Sequence, residues 1–364
     1  MKRKLAIGIS ISLFFIYLSF FIPNFSVIFS GDIVGGFFST PRIDLKSLVI
    51  AFKSANIIVP FILIAMNYLG WWIRAWRYQV LVMPVKPIGA RLSFSAMMIG
   101  YLGNTILPLR AGEFMRAFVV GKRGDMPVSS SLAVLVVERI VDMVMLLICF
   151  GITLLIFPMP GFFKNAGIIT LLLTGVMMVF LFLLLFKRDK ALKIASRILA
   201  FLPETVREKI MNVLLDFTEG LEIFRKSEHY FMAIAYTLVM WCLYLAIIYT
   251  SLHMFDFITP RFPAINGAPL GAALVMLTIT TAGIALPSAP GAVGTYHGIA
   301  LFGLGLFGVP PELGMSYAIL IHLSNFGPMT VVGLYCLIRE GFKLADLTGM
   351  MKKKPASTST PISK

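Results

Sequence analysis

Along this chain long apolar runs alternate with short polar connectors, and that alternation alone sets the architecture. Runs of spanning length recur at about 5–23, 55–73, 129–157, 166–186, 230–255 and 313–338. Each is near or above the roughly 18 to 20 residues that a helix needs to cross hydrocarbon. About six full transmembrane helices are predicted. Two further stretches, about 91–120 and 268–308, are as apolar but are cut by Gly and Pro. Between the fourth and fifth runs, residues 187–228 place Ile194, Ile198 and Leu199, then Ile210, Val213, Leu214 and Phe217, at helical spacing around Pro203. Two amphipathic helices are expected there, on the membrane surface or under the bundle, as a connector or as a partner-docking element.

Composition agrees. Of 364 residues 58% are hydrophobic and only 13% charged, and a mean hydropathy of +0.89 lies far above that of a domain with a charged surface. The first run follows Met-Lys-Arg-Lys but exceeds the apolar core of a signal peptide, so it is read as an uncleaved helix. Residues 1–345 form one integral membrane domain in this reading. The Ser-, Thr-, Pro- and Lys-rich residues 346–364 form a disordered basic tail. Cys149, Cys242 and Cys336 all fall in apolar runs without ligand spacing, as packing residues do.

The net charge of +15 is concentrated on one set of connectors. Lys2 to Lys4, Arg74, Arg77, Lys86, Arg91, Lys122, Arg123, the 187–228 segment and the tail from Arg339 share one side if each full run crosses and each broken stretch returns. The other side holds only Arg42, Lys46, Lys53, Lys164 and Arg261. This positive-inside bias places both termini in the cytoplasm of a cell-membrane protein and directs the cations to anionic lipid, not nucleic acid.

The two broken stretches resemble each other. "LPLRAG" at 107–112 and "LPSAPG" at 286–291 share Leu-Pro, three residues, then Gly, 179 positions apart. Under the charge-based topology one enters from the cytoplasm and the other from outside, as inverted, re-entrant hairpins do in transporters. Pro108 and Gly112 in the first, and Pro287, Pro290, Gly291 and Gly294 in the second, supply the breaks. Irregular backbone at membrane depth must be buried in protein or line a wet cavity. The alternative is a pair of merely kinked helices.

Charges converge on the same zone. Arg110, Glu113 and Arg116 follow one another at three-residue steps, and "VVERIVDMV" holds Glu138, Arg139 and Asp142 within one span. An unpaired set of this size is costly to insert, so the groups are expected to pair. Two readings stand: a structural ion cluster joining the first hairpin to the 129–157 helix, or a site in which Arg110 holds a phosphate in bidentate geometry. The second hairpin adds backbone N–H groups at a helix start with Thr295, Tyr296 and His297, and the last span offers His322, Ser324 and Asn325. Neither zinc spacing nor a Walker loop occurs. No metal, cofactor or ATP-driven pumping is expected.

"GNTILPLRAGEFMRAFVVGKR", "VVERIVDMVMLL" and "LPSAPGAVGTYHGIALFGLG" resemble, in order and approximate spacing, the lysylphosphatidylglycerol synthase transmembrane-region, or flippase-like domain, family. The resemblance covers about 5–340. It implies a multi-span helical domain whose best-known member moves a lipid with an aminoacylated head group between leaflets. Matching motif positions are Asn104, Pro108, Arg110, Gly112, Glu113 and Arg116, then Glu138, Arg139 and Asp142, then Pro290, Gly291 and Gly294. The soluble aminoacyl-transferase domain of bifunctional relatives has no counterpart here, so lysyl-lipid synthesis is not expected. Where relatives carry an acidic residue after the second motif, this chain has Tyr296-His297.

The expectation is therefore an all-α polytopic membrane protein acting as a lipid translocase, a transporter rather than an enzyme. Its partners are anionic or lipid-linked head groups, with self-association or lipid-biosynthesis enzymes as further partners. Arg110, then Arg116, would hold phosphate, with Glu113, Glu138 and Asp142 positioning them and Asn104, Arg139, Tyr296 and His297 completing the site. Two rivals remain. A membrane-embedded transferase would use Glu113 or His297 as base, and a non-transporting scaffold would bind partners through 187–228.

Overall fold

A computed structural model describes residues 43–107, 112–157, 187–201, 230–284 and 289–342, and scattered single positions elsewhere. The expected spans at 5–23 and 166–186 therefore lie largely outside the described residues, as do most of the second amphipathic helix and the tail. Described elements are helical, with no strand among them. In chain order they are α1 (Leu45–Lys53), α2 (Ile58–Val82), α3 (Ala90–Ile106), α4 (Gly112–Gly124), α5 (Val128–Ile156), α6 (Arg188–Ile198), α7 (Tyr230–Ser251), α8 (Pro263–Asn266), α9 (Pro269–Ile284), α10 (Thr295–Gly305) and α11 (Pro311–Arg339).

Among the described helices, α2, α7 with its short 3₁₀ extension to Phe255, and α11 are long and apolar enough to cross a membrane. Their outward faces are apolar, with Phe61, Leu69, Phe231, Val239, Val331 and Ile338 exposed. At 29 residues α5 is as long as α11 but carries Glu138, Arg139 and Asp142. The first of these spans corrects the sequence reading, because α2 runs to Val82 rather than stopping near residue 73. Arg74 and Arg77 are thus inside the helix and inside the bundle, not on a cytoplasmic flank. A cation with a buried carboxylate partner does not end a span.

Antiparallel packing defines two ends of the bundle. At the basic end Lys86 Nζ donates to Asp125 Oδ2 at 2.8 Å, Arg123 donates to the Glu340 carbonyl, and the Phe342 ring lies 5.4 Å from Lys122 Nζ. At the opposite end the Asn56 amide donates to the Met254 carbonyl at 2.8 Å and the Phe157 and Phe307 rings lie 4.9 Å apart. On this frame α3 starts and α4 finishes at the basic end, while α9 starts and α10 finishes at the opposite one. Each pair returns to the end it came from.

Small residues make both returns tight. Gly100, Gly103 and Asn104 share one face of α3, and α4 lies directly on it: a Cβ on Gly112 would land on the Gly100 carbonyl oxygen and stand 2.7 Å from Asn104 Oδ1. Asn104 Oδ1 accepts the Gly112 N–H at 2.9 Å, capping one of the orphan donors at the start of α4. In the second pair Gly303 admits Met276, and the turn is set by the left-handed backbone of Gly291 (φ 68°), Ala292 (φ 55°) and Gly294 (φ 83°). The end of α3 meets the second turn inside the bundle, where a Cβ on Gly291 would lie 3.7 Å from Thr105 Cγ2.

Helix α6 lies in the first of the two segments expected to be amphipathic helices. Its buried residues are Ala191 and Ala195, and Ile194 and Ile198 are exposed. Alanine lets this helix sit close against the core at the basic end, and that turns the larger apolar side chains outward.

Replacing Gly112 with Ala is expected to lower stability by about 1–3 kcal/mol, the range for overpacking a close contact. Gly151→Ala, where an added Cβ meets nothing within 4 Å, leaves it unchanged or slightly raised. Thermal unfolding of both variants in one detergent checks the contrast.

Candidate functional site

Charge pairing in the bundle begins with Glu138, whose side chain is fully buried. Arg77 of α2 and Arg139 of α5 each reach its Oε1 at 3.0 Å, and Arg116 of α4 reaches its Oε2 at 3.0 Å. One helical turn later Asp142 takes both terminal nitrogens of Arg77, at 2.7 and 3.2 Å. Arg139 stands 3.4 Å and Arg74 3.7 Å from the same carboxylate. The Arg116 guanidinium also lies 3.8 Å from the centre of the Tyr78 ring, whose hydroxyl is 2.6 Å from Ser131 Oγ. Neutral partners thus complete the most buried part of the cluster, as desolvated guanidinium requires.

Beside this cluster, where the end of α3 and the start of α4 face the second turn, lies a cavity of about 460 Å³. Its polar wall is Arg74, Tyr101, Asn104, Glu113, Arg139 and Tyr244. Ala289, Gly291, Ala292 and Tyr296 approach from the second turn, and Asn325 from α11. Ile247, Ile248, Leu277, Ile284 and Ile321 make the rest largely apolar. Among the described residues Glu113 has no cation within 4 Å, and its carboxylate interacts with the Arg139 charge at longer range.

The expected site residues divide accordingly. Asn104, Glu113, Arg139 and Tyr296 border the cavity, as do Gly291 and the residues flanking Pro290. Arg116 and Glu138 are buried in the ion cluster with 3% and 0% of their side chains exposed, and Asp142 is consumed by Arg77. His297 turns back along its own helix, where its Nδ1 accepts the Gly294 N–H at 3.2 Å, and its ring stacks on His322 at 4.8 Å. Gly112 and Gly294 serve the turns. Pro108, Arg110 and Pro287 lie outside the described residues.

Reading the sequence missed Arg74, Arg77, Tyr101 and Tyr244. The signal was present in "WWIRAWRYQV": two arginines three residues apart, aromatic neighbours, and an apolar pattern that continues beyond both. Tyr101 follows Gly100 directly, on the helix that the first turn interrupts.

The profile of the family described as lysylphosphatidylglycerol synthase TM region matches residues 6–333. Glycosyltransferase AglD of Haloferax volcanii is 32% identical over 111 residues, which is 29% of this chain and 17% of that protein. The chain therefore spans less than a fifth of that relative's length. No solved structure matches it.

Glu138→Gln leaves three guanidiniums facing a neutral amide and is expected to cost about 3–5 kcal/mol, the penalty for breaking a buried pair from one side. Glu113→Gln, which breaks no pair, stays within about 0.5 kcal/mol. Denaturant or thermal unfolding of the purified variants in detergent measures both.

Proposed function

The chain belongs to the lysylphosphatidylglycerol synthase TM region family, and from that premise we propose that it is a lipid translocase of the cell membrane. A phospholipid or lipid-linked head group occupies the cavity between the two helix turns while its tails stay in lipid. The observation that carries this reading is the meeting of two broken helix pairs, arriving from opposite ends, at one cavity with charged and apolar walls. Each pair is a re-entrant hairpin in this reading: α3, at 17 residues, is about 25 Å long, and α10, at 11 residues, about 16 Å, both short of a bilayer core. The basic end, with Lys86, Arg91, Lys122, Arg123 and Arg339, faces the cytoplasm, where the tail also lies.

Movement of the head group follows from the same geometry. The ion cluster binds α2, α4 and α5 into one block; the second hairpin is joined to α5 through the Thr153 and Thr278 hydroxyls at 3.1 Å and meets the first at Thr105. Separating the turns on one side and then the other exposes the cavity alternately to the two leaflets. Arg139 and Arg74 attract the phosphate, and Glu113 faces the remainder of the head.

A second reading is favoured by the similarity to a protein named a glycosyltransferase: the domain presents a lipid-linked substrate to a transfer reaction. That reaction changes the lipid covalently, whereas translocation changes only its sidedness.

The test is reconstitution into liposomes with head-group-labelled phospholipid, followed by a membrane-impermeant quencher. Wild-type protein is expected to bring inner-leaflet label into reach, and Arg139→Gln to slow this about tenfold or more, as loss of a charged hydrogen bond would. Label protected as in protein-free vesicles would refute translocation. A covalently altered lipid in the same sample would establish the second reading.

A further inference from the structure

We infer that one flank of α6 docks on the anionic surface of the membrane, with Ile194 and Ile198 at the edge of the hydrocarbon and Lys190, Lys193 and Arg197 among the lipid head groups. This holds whatever the cavity carries. Small residues seat the helix: Ala191 and Ala195 are 0% and 5% exposed, and Ala191 belongs to the apolar cluster that also holds Ile88, Val120 and Phe342 at the basic end. Going round the helix at about 3.6 residues per turn, the alanines are followed by Ile198 and Ile194, and those by Lys190, Arg197 and Lys193. Both isoleucines are open, at 62% and 41%, and the three cations are exposed. Among the described residues none of these cations has a carboxylate partner.

Depth decides what meets this flank. The apolar run at 166–186 carries no charge and gives way at Lys187-Arg188, and the Lys187 N–H donates to the Leu183 carbonyl at 2.7 Å. With that run as a span, α6 begins within one turn of the end of the hydrocarbon, at head-group level. There a helix can rest one flank on protein, sink the next into acyl chains, and hold its cations in the head-group layer beyond. Water would leave the two isoleucines uncovered. A protein partner would find too little: α6 has 11 residues, and a flank about 16 Å by 10 Å gives about 160 Å², against about 800 Å² per partner in a stable interface. Charge then selects the lipid. Arg188 to Ile198 hold four cations and one carboxylate, which favours an anionic surface over a zwitterionic one.

The experiment uses the full chain in nanodiscs of phosphatidylcholine, alone or with about one-third phosphatidylglycerol as the anionic lipid. A fluorophore is attached at Ile194→Cys, with Cys149, Cys242 and Cys336 replaced by Ala, and is quenched by a nitroxide high in the acyl chain or by aqueous iodide. The ratio of acyl to iodide quenching reads insertion. In anionic discs it is expected to be far above that of a probe at Asp125→Cys, whose position is 98% exposed at the same end. Lys190→Gln, Lys193→Gln and Arg197→Gln together are expected to lower it about tenfold or more, since one cation at an anionic surface contributes about fivefold. Leaving out phosphatidylglycerol is expected to do the same. All three cations are exposed, so an unchanged melting temperature separates lost docking from lost folding. Iodide quenching as strong as at Asp125→Cys would put the flank in water. Protection from both quenchers would put it against protein, a second copy included. Either result, or a ratio that ignores both the anionic lipid and the triple substitution, overturns the inference.

Discussion

Glu138 carries no exposed surface, yet three guanidiniums from three helices, Arg77, Arg116 and Arg139, end on its two oxygens. A carboxylate taken out of water in this way is stable only while its partners remain, and each arginine is tolerable there only because the carboxylate is present. The arrangement therefore works as a clamp. It fixes the height of α4 relative to α2 and α5, and so the place where the first helix pair must turn. Asp142, one turn along, extends the clamp toward Arg74 and the cavity.

Nearer the cavity the helix pairs are held by backbone and neutral contacts instead. Asn104 closes the first turn by accepting one backbone N–H, and the second turn rests on left-handed glycines. His297, with an imidazole that invites a catalytic reading, spends its Nδ1 on that turn. Glu113, Arg74 and Arg139 stand at the boundary between clamp and cavity. The ionic block thus forms one side of the cavity, and the ends of the two helix pairs form another. Buried ions within the bundle divide in two: some hold helices together, and the incompletely paired ones face the cavity.

Much of this was legible in the residues. The apolar runs located α5, α7 and α11 to within a few positions, and the glycines that close the two Leu-Pro motifs, Gly112 and Gly291, stand at the start of α4 and in a left-handed turn. Family membership could be reached from three motifs, because such motifs mark backbone turns and charges that only particular residues can supply. What hydropathy misjudged was α2, because a sliding apolar pattern treats an arginine as the edge of a span whether or not a carboxylate waits for it.

Sequence by itself determined that the chain is helical, that it is apolar enough to live in a membrane, and that charged groups and helix breakers cluster in the same two stretches. These are properties of local composition and spacing, and they need no neighbour. Only the tertiary structure decided which charges are spent and which remain. Glu138 and Asp142 absorb Arg77 and Arg116 across 61, 22 and 65 positions of chain, while Arg74, Arg139 and Glu113 are left at the cavity. Pairing in a low-dielectric interior depends on distances of a few ångström between helices, and no spacing along one chain specifies those distances.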